Sequence, residues 1–157
     1  LSIGRSDWDR LVRADLNLSH KPDLVFDLEV LPYPFRSNTF HEIHAYEVLE
    51  HTGAQGDYKF FFGQFGEFWR ILRPDGLLYA TCPSWKSEWA WGDPSHKRVL
   101  TTGSLAFLDQ DQYAQVGKTH MSDFRRIYSA DFEAVWLEET SETLSFVLKA
   151  RGKTPCP

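Results

Sequence analysis

Residues 23–51 constrain the chain more than any other stretch: D-L-V-F-D-L-E-V-L-P-Y-P-F-R-S-N-T-F-H-E-I-H-A-Y-E-V-L-E-H. Leu24, Val25 and Phe26 form a short apolar run that stops at Asp27. Such a run suits a buried parallel strand with a polar group at its carboxyl end. Leu31-Pro32-Tyr33-Pro34-Phe35 excludes helix, because each proline lacks an amide hydrogen and restricts the residue before it. Ser37-Asn38 predicts a turn. Residues 40–48 then read as a second strand, with Glu47, Glu50 and His51 at its exit. In open α/β sheets, ligands sit at the carboxyl ends of strands. Chemistry is therefore expected at Asp27 and at residues 47–51.

The clearest helix follows over residues 57–72. Tyr58, Phe61, Phe62, Phe65, Phe68, Trp69 and Leu72 recur at three- and four-residue steps, the spacing of one buried helical face. Asp57 is placed to cap its start. Gly63 and Gly66 weaken the helix and invite close packing of a neighbour. Arg73-Pro74-Asp75-Gly76 predicts a turn, and residues 77–82 a buried strand stopped by Pro83. Trp85, Trp89 and Trp91 then crowd one loop, where they either wall a pocket or form a satellite cluster. Residues 101–116 read as a helix capped by Thr102 or Ser104. Residues 133–140 and 143–150 alternate as two strands, with Val135 and Leu137 on the inner face of the first. The short link at Ser141-Glu142 predicts a hairpin. Residues 1–150 form one expected domain and residues 151–157 a tail.

At the other end, Leu1-Ser2-Ile3-Gly4 reads as a strand entering a tight turn, and residues 11–16 as a second strand carrying Asp15. The link of residues 5–10 is too short for an ordinary crossover helix, which takes a dozen residues or more. The chain opens on Leu1 rather than Met, as one with residues missing upstream would.

A chain of 157 residues, 42% hydrophobic and 15% aromatic, is large enough for one well-buried core. No apolar run reaches the length of about 18 that a membrane helix needs. Ser2 to Asp15 is studded with charge and has no signal-peptide pattern. Cys82 and Cys156 make no disulfide framework, so a reducing cytoplasm is the expected compartment. The formal net charge of -5 disfavours general nucleic-acid binding, which draws on clustered cations.

The ordered set of motifs resembles class I S-adenosylmethionine-dependent methyltransferases over roughly residues 1–100. The resemblance rests on Asp27-Leu28, the loop of residues 31–40, Val48-Leu49-Glu50-His51, Arg70-Ile71-Leu72-Arg73-Pro74-Asp75-Gly76 and the strand ending at Pro83. It implies a Rossmann-like α/β fold. The sheet would be mostly parallel with helices on both faces, an antiparallel C-terminal hairpin, and a first crossover helix shortened or absent. It implies S-adenosylmethionine as cofactor, lined by Gly4, Asp15, Asp27 and Leu28, with Glu47 near the methionine end. Glycine lets backbone approach the cofactor, Asp15 would accept from the ribose hydroxyls, and Asp27 from the adenine amino group. Asp93-Pro94-Ser95-His96-Lys97-Arg98 resembles a segment at the family's active-site mouth. His51 and His96 are thus the catalytic candidates, and Trp85, Trp89, Asp93 and Lys97 the substrate-binding ones, with Lys97 and Arg98 expected to hold an anionic group. The methyl acceptor is unidentified, a small molecule being favoured. Arg5 stands where a second small residue is usual. That departure motivates an alternative, a catalytically inactive binding or scaffold module.

A metal-dependent hydrolase is the third reading. His41-Glu42-Ile43-His44 lacks the four-residue histidine step of the zinc-protease helix, and on a strand the two imidazoles point to opposite faces. No metal site is therefore expected. Phosphate-loop, dinucleotide and nucleophile-elbow motifs are all absent.

Overall fold

The computed structural model describes residues 10–153. Four strands form one sheet in the order β1-β2-β4-β3. They are β1 (Phe40–Tyr46), β2 (Leu72–Pro83), β3 (Phe132–Glu139) and β4 (Thr143–Ala150). β1 pairs with β2 in parallel, and β4 pairs antiparallel with both β2 and β3. Among the described strands, then, one pairing of three is parallel, and the expectation of a mostly parallel sheet is corrected to a mixed one. The expected first strand and Gly4 lie outside the described residues.

The crossover between β1 and β2 is α1 (Tyr58–Ile71). Asp57 caps it, its carboxylate accepting from the Phe60 N–H at 3.0 Å. Phe62, Phe65, Phe68 and Ile71 are buried. Fully burying such a side chain stabilises by about 1.5–3 kcal/mol, so this stripe fastens α1 to the sheet. Gly63 admits the loop before β1: a Cβ there would stand 2.9 Å from a Leu31 methyl. Arg70 fastens the same loop, donating to Phe35 O at 2.8 Å and Tyr33 O at 3.1 Å.

β2 begins one residue after α1 ends. The expected turn at residues 73–76 is a bulge inside this strand. Phe40 pairs with Leu72, but Glu42 pairs with Leu77. Asp75 takes a left-handed φ of 60°, and a Cβ on Gly76 would meet Arg73 O at 2.9 Å. Beyond the bulge Leu78, Ala80 and Cys82 are buried, and opposite them Leu144, Phe146 and Leu148. Burial in apolar surroundings lifts the Cys82 thiol pKa to about 12. β3 is an edge. Its register slips between Ala134 and Trp136, and on this edge Val135 and Leu137 are exposed, against the expectation of an inner face.

Two further expectations need correction. Residues 11–16 and 24–26 are not sheet strands. They meet each other through a single parallel bridge, Ala14 to Leu24, and neither joins the four-stranded ladder. With no continuous ladder to bury them, Leu11, Val12, Leu16 and Val25 remain exposed. The expected helix over residues 101–116 breaks in two. Thr101, not Thr102 or Ser104, caps α3 (Thr102–Ala106) in a reciprocal box with Ser104. Asp109 then restarts the chain as a 3-10 turn, Gln110–Gln115. Residues 151–153 are strapped down: Arg151 pairs with Asp109, Asp111 and Asp131, and the Lys153 ammonium bonds the Trp69, Arg70 and Leu72 carbonyls at the end of α1. Among the described residues no helix is long and apolar enough to cross a membrane.

Candidate functional site

β1 lies at the sheet edge, and a cavity of about 800 Å³ runs along it. One wall is β1 itself from Glu42 to Tyr46, continuing through Val48 to His51 and Thr52. The other is the N-terminal segment, residues 10–16 and 26–29. Tyr33, Phe35 and Phe40 also line it: Tyr33 and Phe35 meet Phe26 edge-on, Tyr33 is tilted on Phe68, and Phe40 meets Phe35 edge-on.

Asp15, Asp27, Leu28, His51 and Lys97 all line this cavity. Asp15 and Asp27 both order their own turns. Asp15 accepts from the Asn17 N–H at 2.8 Å and lies 2.7 Å from His20 Nδ1, contacts that hold its pKa below the usual carboxylate range. Asp27 accepts from the Glu29 N–H at 2.8 Å, and the Leu28 carbonyl accepts from the Tyr33 hydroxyl at 3.1 Å. A carboxylate has about four lone-pair sites, so neither role exhausts the group. Lys97 is held by Glu29 at 2.7 Å, and the same carboxylate accepts from the Gly53 N–H at 2.6 Å. The Lys97 bond, then the Gly53 one, lowers the Glu29 pKa. This pair staples the N-terminal wall to the exit of β1.

Other sequence candidates lie elsewhere. Glu47 sits at the end of β1 with a left-handed φ of 52°, its N–H bonded to Thr81 O at 2.9 Å, and its side chain is not on the cavity wall. Trp85 and Trp89 are 46% and 62% exposed and do not line the cavity. Trp89 and Trp91 lie within α2 (Glu88–Gly92) and Trp85 just before it, the Trp91 indole N–H donating to Trp85 O at 2.9 Å. Asp93 folds its own loop, accepting from the Ser95 N–H and hydroxyl.

Three features escaped the sequence reading. First, Arg98 is not at the surface to hold an anion. It is 5% exposed, and its guanidinium donates to Leu49 O at 2.9 Å, to Thr52 Oγ1 at 3.1 Å and to Gln64 Oε1. Burial among neutral acceptors lowers its pKa to about 10. Second, Gln64 is the buried polar group on the face of α1 that meets the β1 exit turn, and it completes that network. Third, Glu50 and His96 join His51. The 3-10 turn Leu49–His51 buries the Glu50 side chain, while the Glu50 carbonyl accepts from the Lys97 and Arg98 amides. That pairing lays His96 beside His51, ring centroids 4.8 Å apart. Neither Glu50 carboxylate oxygen has a hydrogen-bond partner, and burial raises its pKa. His51 Nδ1 lies 3.2 Å from Ser95 O, so that nitrogen carries the proton when the ring is neutral. The signal for this cluster was Glu50-His51 itself; nothing local points to a partner forty-five positions on.

No protein-family model matches the chain, and no curated protein sequence matches it. Solved structures do. A putative type 11 methyltransferase from Sulfolobus solfataricus is 16% identical, with 92% of this chain and 72% of that chain covered and a TM-score of 0.47. A chain in the complex of the Haloferax volcanii Trm112 methyltransferase activator with the putative methyltransferase is 17% identical, over 82% of this chain and 61% of that one, with a TM-score of 0.47. A putative methyltransferase from Bacillus halodurans is 17% identical, over 83% and 71%, with a TM-score of 0.41. By their names, the solved structures to which this chain is similar come from methyltransferases and, in one case, a methyltransferase complex, and methyltransferases are the family its own motifs resemble.

Proposed function

We propose that the chain binds S-adenosylmethionine in the cavity beside β1 and transfers its methyl group to a small-molecule acceptor. The observation that carries the reading is the meeting of Asp15, Asp27 and Leu28 on one cavity with the exit of β1. Its volume is within the range of pockets that enclose small ligands. The donor set suits a nucleoside: two carboxylates to accept from hydroxyl and amino groups, with Phe26, Leu28 and Val48 as apolar surface between them.

When bound, the cofactor supplies an electrophilic methyl on a sulfonium sulfur, which becomes a neutral thioether as the acceptor's lone pair takes the methyl. The chain's own work is positioning. Asp15 would hold the ribose and Asp27 the adenine edge; Glu47, whose side chain is off the cavity wall, is left without a part in this arrangement. His51, on the opposite wall, has its Nε2 lone pair free of the Ser95 bond and can take up the acceptor's proton. His96 lies directly behind it. Orientation of the two reactants supplies most of the rate in such a site.

Calorimetric titration of the chain with S-adenosylmethionine tests the reading. The expected outcome is micromolar binding, weakened about tenfold or more by Asp27→Ala, the loss of one charge-assisted hydrogen bond. No heat and no thermal shift would instead favour the inactive binding or scaffold module.

A further inference from the structure

Glu50 is 2% exposed, and both its carboxylate oxygens are buried with no hydrogen-bond donor. An ionised carboxylate left so is costly, and buried charges are ordinarily paired or bound to metals. Beside it the His96 side chain is 8% exposed, and His96 Nδ1 is likewise buried without a partner. His51 Nε2 lies 3.9 Å from Glu50 Oε1. One ligand atom from each of Glu50, His51 and His96 falls within 4.8 Å of the other two. The outward nitrogens are turned to supporting acceptors: His51 Nδ1 to Ser95 O at 3.2 Å, and His96 Nε2 toward Asp93 Oδ2 at 3.9 Å. Metal-bound imidazoles are oriented in this way, one nitrogen to an acceptor and the other to the ion.

We propose that Glu50, His51 and His96 form a three-ligand site for a divalent first-row transition ion, with its open coordination position on the cavity beside β1. Two imidazoles and one carboxylate are a donor set for zinc and for non-haem iron. Metal–donor bonds near 2.0–2.1 Å set tetrahedral donors about 3.3 Å apart, so the cluster closes by rotation of the three side chains. The ion gives the Glu50 carboxylate its counter-charge. Of the three ligands His51 lines the cavity, so the cavity is the side from which a fourth ligand would approach. A bound ion acidifies an oxygen ligand there, which relieves His51 of the proton-accepting role. That last role rests on the methyl-transfer reading; metal binding itself does not.

The test uses the tag-free chain, stripped with chelator and titrated with zinc chloride in the absence of S-adenosylmethionine. The expected result is about one Zn²⁺ per chain at micromolar affinity or tighter, with a rise in Tm, since a ligand that binds only the folded state stabilises it. Glu50→Gln and His96→Ala each lower the affinity by about 100-fold or more, a ligand mattering at least as much as its supporting groups. His120→Ala, outside the cluster, leaves it unchanged. Should Glu50→Gln fail to fold, His51→Ala and the visible spectrum of the Co²⁺-loaded chain replace it, with intense d–d bands expected from a site of low coordination number. Weak binding of several ions, or one tight site indifferent to both His51→Ala and His96→Ala, overturns the proposal. Because the cofactor is absent throughout, failure here is distinct from failure to bind S-adenosylmethionine.

Discussion

The two walls of the cavity are built by different physics. The sheet wall rests on the core: Ala45 and Leu49 are buried, and the turn after β1 is pinned by Arg98, Thr52 and Gln64. The N-terminal wall packs on the core through Phe26 and Leu28, but its outer part, residues 10–16, rests on surface contacts. One backbone bridge joins Ala14 to Leu24, one exposed ion pair joins Arg13 to Asp23, and Glu29 reaches across to Lys97. Regions with few buried apolar contacts open at far lower free energy than the core. Of the proposed cofactor contacts, Asp15 thus sits on the weaker wall, Asp27 at its core-packed base between Phe26 and Leu28, and His51 on the stronger wall. A ligand bridging both would stabilise the N-terminal wall most.

The largest expected effect separates the walls directly. Leu49→Ala empties a fully buried site behind the β1 exit and is expected to cost about 2–5 kcal/mol. Leu16→Ala, at a residue 64% exposed, is expected to stay within about 0.5 kcal/mol. Chemical denaturation of the two variants measures both. Equal losses would mean that residues 10–16 belong to the cooperative core. Next in size is Arg98→Met, which takes the close donor from the buried Gln64 amide oxygen, while the Leu49 carbonyl keeps its bond from the Thr52 hydroxyl. The expected loss is about 1–3 kcal/mol for that group. It should be rescued in part by Gln64→Leu in the same chain, because removing both partners removes the penalty.

What the sequence made legible follows the same division. α1 was readable because its signals are local: an aromatic stripe at helical spacing and a capping aspartate one residue before the first turn. The bulge at residues 73–76 was half readable. Pro74, Asp75 and Gly76 announce a turn, but only the register with β1 shows that it is absorbed inside a strand. The strands expected at residues 11–16 and 24–26 were misread, because a short apolar run carries the same pattern whether or not a sheet is there to bury it. In the site, Asp15, Asp27, Leu28, His51 and Lys97 were named from motif order, and they share one cavity. Arg98 was misread as an anion holder, since a cation in a loop gives no sign of pointing inward. Glu50 and His96 meet through contacts between distant segments, among them the Lys97 and Arg98 amides bonding the Glu50 carbonyl.

A smaller effect probes the hinge between the walls. Glu67, on α1, accepts from the Tyr33 N–H at 2.7 Å and from Arg70, and the Arg70 bond above all holds its pKa below the usual carboxylate value. The folded value therefore lies below the unfolded one of about 4.3. Its stabilisation is complete above that unfolded value and is lost as pH falls through the folded one. Glu67→Gln should therefore lower Tm at pH 7, with the gap to the parent narrowing as pH drops below 4. A gap that widens in acid would reverse the sign and remove Glu67 as the tie between α1 and the loop beneath the cavity.

The smallest effect is the sharpest test of the contrast. Arg13 and Asp23 are 60% and 46% exposed in their side chains, so their pair is screened and adds little to global stability. It nevertheless spans the one bridge in the N-terminal wall: the Arg13 carbonyl accepts from the Asp23 and Leu24 amides, and the Arg13 N–H donates to the Asp23 carboxylate. Arg13→Ala should leave Tm unchanged while amide exchange quickens at Arg13's neighbours Asp15, Asp23 and Leu24, with β1 amides unaffected. Saturating S-adenosylmethionine should then slow exchange at Asp15 and Leu24 far more than at Ala45, because only the weaker wall has protection left to gain. If both walls gained equally, the cavity would be one cooperative unit, and the stronger wall could not be treated as a preformed platform for His51.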